Sequence, residues 1–521
     1  MSPDALARAL ESFLSQARSA FVVEDGQELF DLSLARYSIT ADRGKCLLHL
    51  WSSERNTVRR VLDAQTNKDG LVLSVQRFGR SKPSKLEVIR ERDRRSPSAK
   101  RGERAAFTRL LERVLKHSFP EWSSSRLSNS VDLEHSFGPI YTRGILQRGR
   151  SAFAVLGVSR HETQASIDAA LTFGILWLDL CRRSNARLVV EGLKLMVPRG
   201  HSEVVRARMA NLDHDAAKFQ LYDLEEGELD EVDCRDRGNI ATRLTACVDQ
   251  VATRERFREP IRTVFELLGR ERASATELKP LSPSELGFRL YGLEFAKAHL
   301  SDGATGQQYE IVFGAGAHET VLDGQSNELF QQLTERLFES RAPGNQNRSD
   351  ALWRMQPERW LESLVVANVN RLDSQLDKHA VYSQVPAFAA SDRVMIDVLT
   401  CTREGRLAVL ELKAEEDIHL PLQGLDYWAR VQWHHARGEF QRFGYFAGRQ
   451  LSRQPPLLFL VAPALHLHPA TDTLLRYMSP EIDCTVLGIH ENWREQQKVV
   501  FRKRRESTAR GQSALAGRMV R

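Results

Sequence analysis

The chain has 521 residues, 42% of them hydrophobic and 27% charged, with a formal net charge of +6. This balance excludes a disordered or fibrous protein, and the length exceeds one ordinary core, so two to four globular domains are expected. The six cysteines (Cys46, Cys181, Cys234, Cys247, Cys401 and Cys484) form no C-x-x-C pair, which argues against a zinc site on paired cysteines and against a disulfide framework.

The first residues carry acids and no apolar run, unlike a secretory signal. The most apolar stretch, 171–180, contains Asp179 and falls short of the ~20 residues of a membrane span. The expectation is therefore a protein of a reducing cytoplasm with no membrane partner. Residues 1–120 read as an α+β domain. It has an N-terminal helix, strand candidates at Phe21-Val22-Val23 and Leu47-Leu48-His49-Leu50, and turn signals at Asp25-Gly26 and Asp69-Gly70. Residues 77–104 hold eleven Lys or Arg against four acids. This stretch, with Arg94, Arg95, Lys100 and Arg101 in an expected loop, can track a phosphate backbone or can simply be solvated. Helical spacing follows over 105–117.

Residues 121–200 alternate as hairpin, helix (165–183) and strand (187–197), and 201–340 mix short strands and helices. Leu281-Ser282-Pro283-Ser284 reads as a joint, and the acid-rich 223–237 as an exposed hairpin rim. Residues 341–350, poor in apolar groups and rich in Gly, Pro and Asn, form the clearest linker. The domain carrying chemistry is expected at 351–502, with a basic, disordered tail over 503–521.

In that domain Pro357 suits a first helical turn, and Trp360, Leu361, Leu364, Val365, Val369 and Leu372 recur at helical spacing. Glu362 lies beside this stripe, either binding a cation or snorkelling at the core edge. Two strand-like runs follow, 393–401 and 406–414, joined by a short turn as a β-hairpin. Glu411 and Lys413 are two apart and share one face, while Asp397 sits inside an apolar run on the neighbouring strand. A lone buried acid or lysine is rare. Two carboxylates and one ammonium at neighbouring strand ends can cage a divalent cation and leave a positive charge for a phosphate. Asp and Glu oxygens suit Mg²⁺ or Mn²⁺. Lys413 could orient or deprotonate a water, or neutralise charge developing on phosphorus. On the next helix Gln423 and Tyr427 share a face, and Gln423 can bond the Lys413 side and a phosphate. His434 and His435 on that helix are expected to be half-buried structural groups, and Glu415, Glu416 and Asp417 a solvated loop.

These residues resemble the PD-(D/E)XK nuclease superfamily. The match is the helix Glu362, the strand Asp397, the Glu411-Leu412-Lys413 strand, the Gln423 helix and a following strand at 457–462. It covers residues 355–465, and Ile396 stands where the family's motif has proline before the Asp. The resemblance implies a multidomain α/β (α+β) protein. Its C-terminal domain would be restriction-endonuclease-like, with a mixed central sheet flanked by helices. It implies hydrolysis of a nucleic-acid phosphodiester, DNA before RNA, with Mg²⁺ or Mn²⁺ on Asp397 and Glu411, Glu362 as a further ligand, and Lys413 as the catalytic lysine. By analogy it suggests DNA repair, processing or defence, and a homodimer. The alternatives are a non-catalytic nucleic-acid-binding protein with a decayed site, and a hydrolase of RNA or another phosphate-containing substrate.

The earlier segment 153–159 has the same cadence as 407–413. Aligned residue for residue, Gly157 and Ser159 replace Glu411 and Lys413, and Arg143 falls where Asp397 would be. This is either a degenerate second module at 121–200, unable to hold a metal, or simply the look of any hairpin-helix-strand unit.

Overall fold

A computed structural model describes residues 2–505 except 16–19, 25–26, 33–34, 43, 52–55, 68–69, 77–82, 91–96, 133, 236–239, 241, 304–305, 316–318, 346 and 390–391. The chain is a mixed α/β, multidomain protein with four sheets. Alternating apolar residues in the first 90 positions build a seven-stranded antiparallel sheet, whose last strand, Ser84–Arg90, returns to lie beside Ala20–Glu24. The amphipathic helix Pro3–Leu14 covers it with Leu6, Leu10, Phe13 and Leu14. Ser2 caps that helix by accepting the Ala5 N–H.

This first core ends at the strand. The helical signal at 105–117 belongs to a longer helix, Pro97–Ser118, whose Phe107, Leu111, Val114 and Leu115 pack on the second sheet. Lys100 and Arg101 lie in the first turns of this helix rather than in a loop; Arg94 and Arg95 fall outside the described residues.

The second and third sheets are built alike. In the second, strands Tyr141–Arg148 and Ser151–Val158 form an antiparallel hairpin. The helix Ala170–Ser184 then leads to Val189–Pro198, parallel to the hairpin's second strand. The short helix Glu203–Met209 leads to a second parallel strand, Lys218–Glu225, and Glu228–Val232 closes the sheet antiparallel. The third sheet repeats this order. Asp392–Cys401 and Leu407–Leu412 form the hairpin, and the helix Leu420–Ala436 leads to the parallel strand Leu457–Pro463. The helix Thr471–Arg476 leads to the parallel strand Cys484–Ile489, and Val499–Arg505 closes it antiparallel. Of the expected tail 503–521, residues 503–505 thus end a strand, and 506–521 lie outside the described residues. Each hairpin is also backed by a preceding helix, Pro97–Ser118 or Pro357–Ala367.

The two sheets share one core. Leu171, Ile175 and Leu178 from one long helix and Leu422, Leu425 and Trp428 from the other are buried in a single cluster. Gln164–Ser184 is the one described segment long and apolar enough to cross a membrane, longer than the run visible in sequence. It is a core helix, with eight residues of its Ala170–Ser184 part buried. Across the junction the Arg208 guanidinium donates from Nε and Nη2 to the Asp426 carboxylate, Nη2–Oδ2 being 2.7 Å, and from Nη1 to the Asp168 carbonyl at 2.6 Å. Removing one partner of such a buried pair strands the other. Arg208→Ala is expected to cost about 3 kcal/mol in denaturant unfolding; a loss below about 0.5 kcal/mol would contradict this weight.

The fourth sheet is an antiparallel set of five strands between Glu277 and Val321, covered by the helices Arg258–Ala275 and Asn327–Ser340. The expected joint at 281–284 is a hairpin turn within it. The expected linker is pinned at its start. Arg341 is fully buried, donates to the carbonyls of Leu352, Met355 and Tyr291, and stacks over the Trp360 ring at 4.3 Å. Gly292, at φ +74°, lets this unit touch the Pro357–Ala367 helix, because a Cβ there would sit 2.0 Å from the Arg359 carbonyl oxygen.

Candidate active site

The hairpin register places Asp397 opposite Glu411, since Val398 pairs with Leu410 and Leu399 with Val409. Strand alternation turns Ala408, Leu410 and Leu412 toward the Pro357–Ala367 helix. Glu411 faces the Gln423 helix instead, and Gly424 permits the close approach, its place for a Cβ being 3.5 Å from the Glu411 Cβ. The carboxyls of Asp397 and Glu411 meet within hydrogen-bond reach of one another. Burial, above all, pushes both up from the usual carboxylate range, and the Asp397 charge pushes Glu411 further. Asp397 also accepts the Leu412 N–H at 3.1 Å.

Glu411 is 2% exposed, and its Oε2 has no hydrogen-bond donor. Lys413 lies one residue past the strand and still donates its N–H to the Val461 carbonyl. Its ammonium sits 3.7 Å from Glu411 Oε1 and 3.3 Å from Asp417 Oδ2. Burial alone would lower its pKa, but these acids outweigh burial and raise it. The Lys413 side chain is 20% exposed, so the acid pair reaches the surface at its lysine end.

Glu362 is buried nearby but is not part of the pair. It accepts from Arg359 Nη1 at 2.9 Å and from Gln384 Nε2 at 2.5 Å. Burial, reinforced by the Asp397 charge and opposed by Arg359, pushes its carboxyl up to about 7. It lines a small cleft with Arg359, Ser383, Glu277 and Arg289. Gln423 begins the helix behind Glu411, and its Oε1 is also buried without a donor. Tyr427, one turn on, is half-buried, and desolvation and the two acids raise its pKa far above the usual range.

Sequence reasoning missed several groups here. Arg359, three residues before Glu362, neutralises it. Gln384 holds it from the strand Tyr382–Ala389 with a left-handed φ of 57°. Lys279, more than 80 residues earlier, donates to the Ser383 carbonyl at 3.2 Å and adds positive charge toward Glu362. Asp417 is not merely solvated: it pairs with Lys413 and accepts the His419 N–H at 2.7 Å. Only Arg359 had a sequence signal, its i,i+3 spacing from Glu362.

Among the described residues no three His, Cys, Asp or Glu side chains gather as a metal cluster, so Asp397 and Glu411 stand as a pair. His434 is buried between Thr242 and Glu439, and His435 bonds the Ser452 carbonyl, as structural histidines do.

The second module settles its own alignment. Gly157 points at Phe107 and Leu111 of the backing helix, on the face opposite to that of Glu411. Leu156 pairs with Arg143 on one side and Leu195 on the other, as Glu411 stands opposite Asp397 and pairs with Leu460. Leu195 and Leu460 each lie three residues before a strand-ending proline, Pro198 and Pro463. Leu156 and Val158, not Gly157 and Ser159, therefore occupy the Glu and Lys positions. A one-residue slip reverses every side chain on a strand, and apolar residues on both faces hide that slip in sequence. Arg143 keeps its predicted place, stacked over Phe137 at 4.7 Å with one nitrogen unpartnered.

No protein-family model and no curated protein matches the chain. Solved structures with a distant likeness include a repair endonuclease from Pyrococcus abyssi, at 11% identity and a TM-score of 0.15, over 43% of this chain and 96% of that one. Another is an EndoMS–dsDNA complex, at 9% identity and a TM-score of 0.14, over 42% and 94%. These scores lie below that of a shared fold, and the functional reading rests on the site itself.

Proposed function

We propose that residues 351–502 form a restriction-endonuclease-like domain of the PD-(D/E)XK kind that hydrolyses phosphodiester bonds in nucleic acid, DNA before RNA. The carrying observation is the contact between the carboxyls of half-buried Asp397 and buried Glu411 beside Lys413. Two like charges taken out of water repel and are poorly solvated unless a proton or cation lies between them. The unsatisfied Glu411 Oε2 supports a cation as the natural occupant. Asp397 and Glu411 would hold Mg²⁺ or Mn²⁺, which needs only one or two carboxylates and keeps waters for the rest. When bound, the ion supplies Lewis-acid polarisation of a phosphoryl oxygen.

The remaining roles fall to the chain's own groups. Lys413, flanked by Glu411 and Asp417, stays an ammonium and offers positive charge to the phosphate rather than taking a proton from water. The Gln423 amide, its oxygen unpartnered, orients a polar group against the pair. Arg359 and Gln384 fix Glu362 behind Asp397, where it reinforces the acid pair's demand for a cation.

The test is cleavage of plasmid DNA and of RNA by the full chain in Mg²⁺ and in EDTA. Cleavage of DNA in Mg²⁺ alone is expected, reduced about a hundredfold or more in Lys413→Ala, with unchanged circular dichroism. Equal cleavage in EDTA, or by Lys413→Ala, would refute the assignment.

A further inference from the structure

We infer that the chain is an internal two-fold pair of like modules with a single cutting centre, built to engage a DNA duplex and break one of its strands. This rests on the nuclease reading above. The two modules have the same order of strands, helices and directions. They meet as a symmetric dimer would. Leu212 and Met478, each just past the short helix of its module, pair antiparallel. The Asp213 N–H donates to the Tyr477 carbonyl at 2.8 Å, and the Ser479 N–H to the Asn211 carbonyl at 2.9 Å. Equivalent residues bonding one another reciprocally define a local two-fold axis.

Ion pairs cross it in both directions. Arg208 on one short helix reaches Asp426 on the other module's long helix, and Arg476 on the second short helix reaches Asp179 on the first long helix at 3.1 Å. A run of contacts joins the two centres. Asp417, paired with Lys413, accepts the His419 N–H; the His419 ring meets Thr172 at 3.1 Å and Phe173 at 5.7 Å between centroids. Phe173 stacks on Tyr141 at 4.6 Å, and Tyr141 pairs with Val158 on the neighbouring strand.

The strands of a duplex are antiparallel and are themselves related by two-fold axes, so a two-fold protein presents one module to each. Only one module can cut. At the second centre Leu156 and Val158 offer no oxygen ligand, and the buried Arg143 guanidinium repels a cation. Each engagement would then hydrolyse one P–O bond. A water oxygen joins phosphorus, the leaving sugar oxygen takes a proton, and the opposite strand stays intact against the second module.

The test uses the full chain on supercoiled plasmid in Mg²⁺, beside sedimentation of Asp397→Asn with a short labelled duplex. Open-circle DNA should accumulate before any linear product, and Asp397→Asn should bind at one chain per duplex. Conversion of supercoiled to linear DNA without an open-circle intermediate, or binding only as two chains per duplex, would overturn the inference and leave the nuclease reading standing. Absence of any cleavage would remove both.

Discussion

Replacing Asp397 with asparagine should abolish DNA cleavage and, in the absence of metal, make the protein more stable. The two effects share one cause. The carboxyls of half-buried Asp397 and buried Glu411 are in contact, and loss of solvent disfavours the charged form of each. At neutral pH the metal-free protein must either hold a proton between them or leave two like charges poorly solvated. The asparagine amide oxygen can still accept the Leu412 N–H, and its NH₂ can donate to the unsatisfied Glu411 oxygen. Relief of about 2 kcal/mol is expected, read as a higher denaturant midpoint at unchanged slope. Activity should fall below detection, because the cation loses one of the two carboxylates that would hold and orient it. A variant less stable than the parent in EDTA would show that the pair is an ordinary structural contact.

Glu362 gives a second large effect, in the dependence of stability on pH. Its carboxyl titrates at about 7 in the folded protein, against about 4.3 for an unstructured chain. A folded value above the unfolded one means that the native state binds the proton more tightly. Stability from this group is therefore full below about pH 4, falls as pH rises, and levels off above about pH 7. The span corresponds to about 4 kcal/mol. Glu362→Gln cannot lose a proton, so it should match the parent below about pH 4, exceed it by about 1 kcal/mol at pH 5 and by about 3–4 kcal/mol at pH 8. Comparing the two proteins cancels the many other titrating groups. A difference that does not grow with pH would show that Arg359 and Gln384 keep Glu362 ionised throughout.

The strands of the candidate site were legible because their chemistry violates their pattern. Asp397 and Glu411 are acids inside apolar runs, and the hairpin, the Gln423 helix and the strand at Leu457–Pro463 follow at the expected places. What sequence could not give was partnership over distance. Lys279 of the fourth sheet meets Ser383 of the third only through the packing of the two units, and Gln384 reaches Glu362 from a strand 22 residues on. Asp417 looked like one more acid in a solvated run until the turn after Lys413 folded it back. Arg341 sat at the edge of a polar linker and is instead buried under three carbonyls.

The second module shows the same limit from another side. Its cadence was visible in sequence, but its register was not. On a strand apolar on both faces, Leu156 and Gly157 are equally plausible counterparts of Glu411, and the closeness of Gly157 to Phe107 and Leu111, with the pairing of Leu156 to Arg143 and Leu195, separates them. Its extent was also hidden. The helix at Pro97–Ser118 and the strands through Val232 belong to it, because the former packs on the latter through Leu110, Leu111, Tyr222 and Leu224.

Everything proposed here depends on the Asp397–Glu411 pair being a cation site. Calorimetric titration of Mn²⁺ into the metal-free full chain tests this directly. One ion per chain is expected, with binding lost in Asp397→Asn and retained in Lys413→Ala. No binding to the parent, or equal binding to Asp397→Asn, would contradict the account.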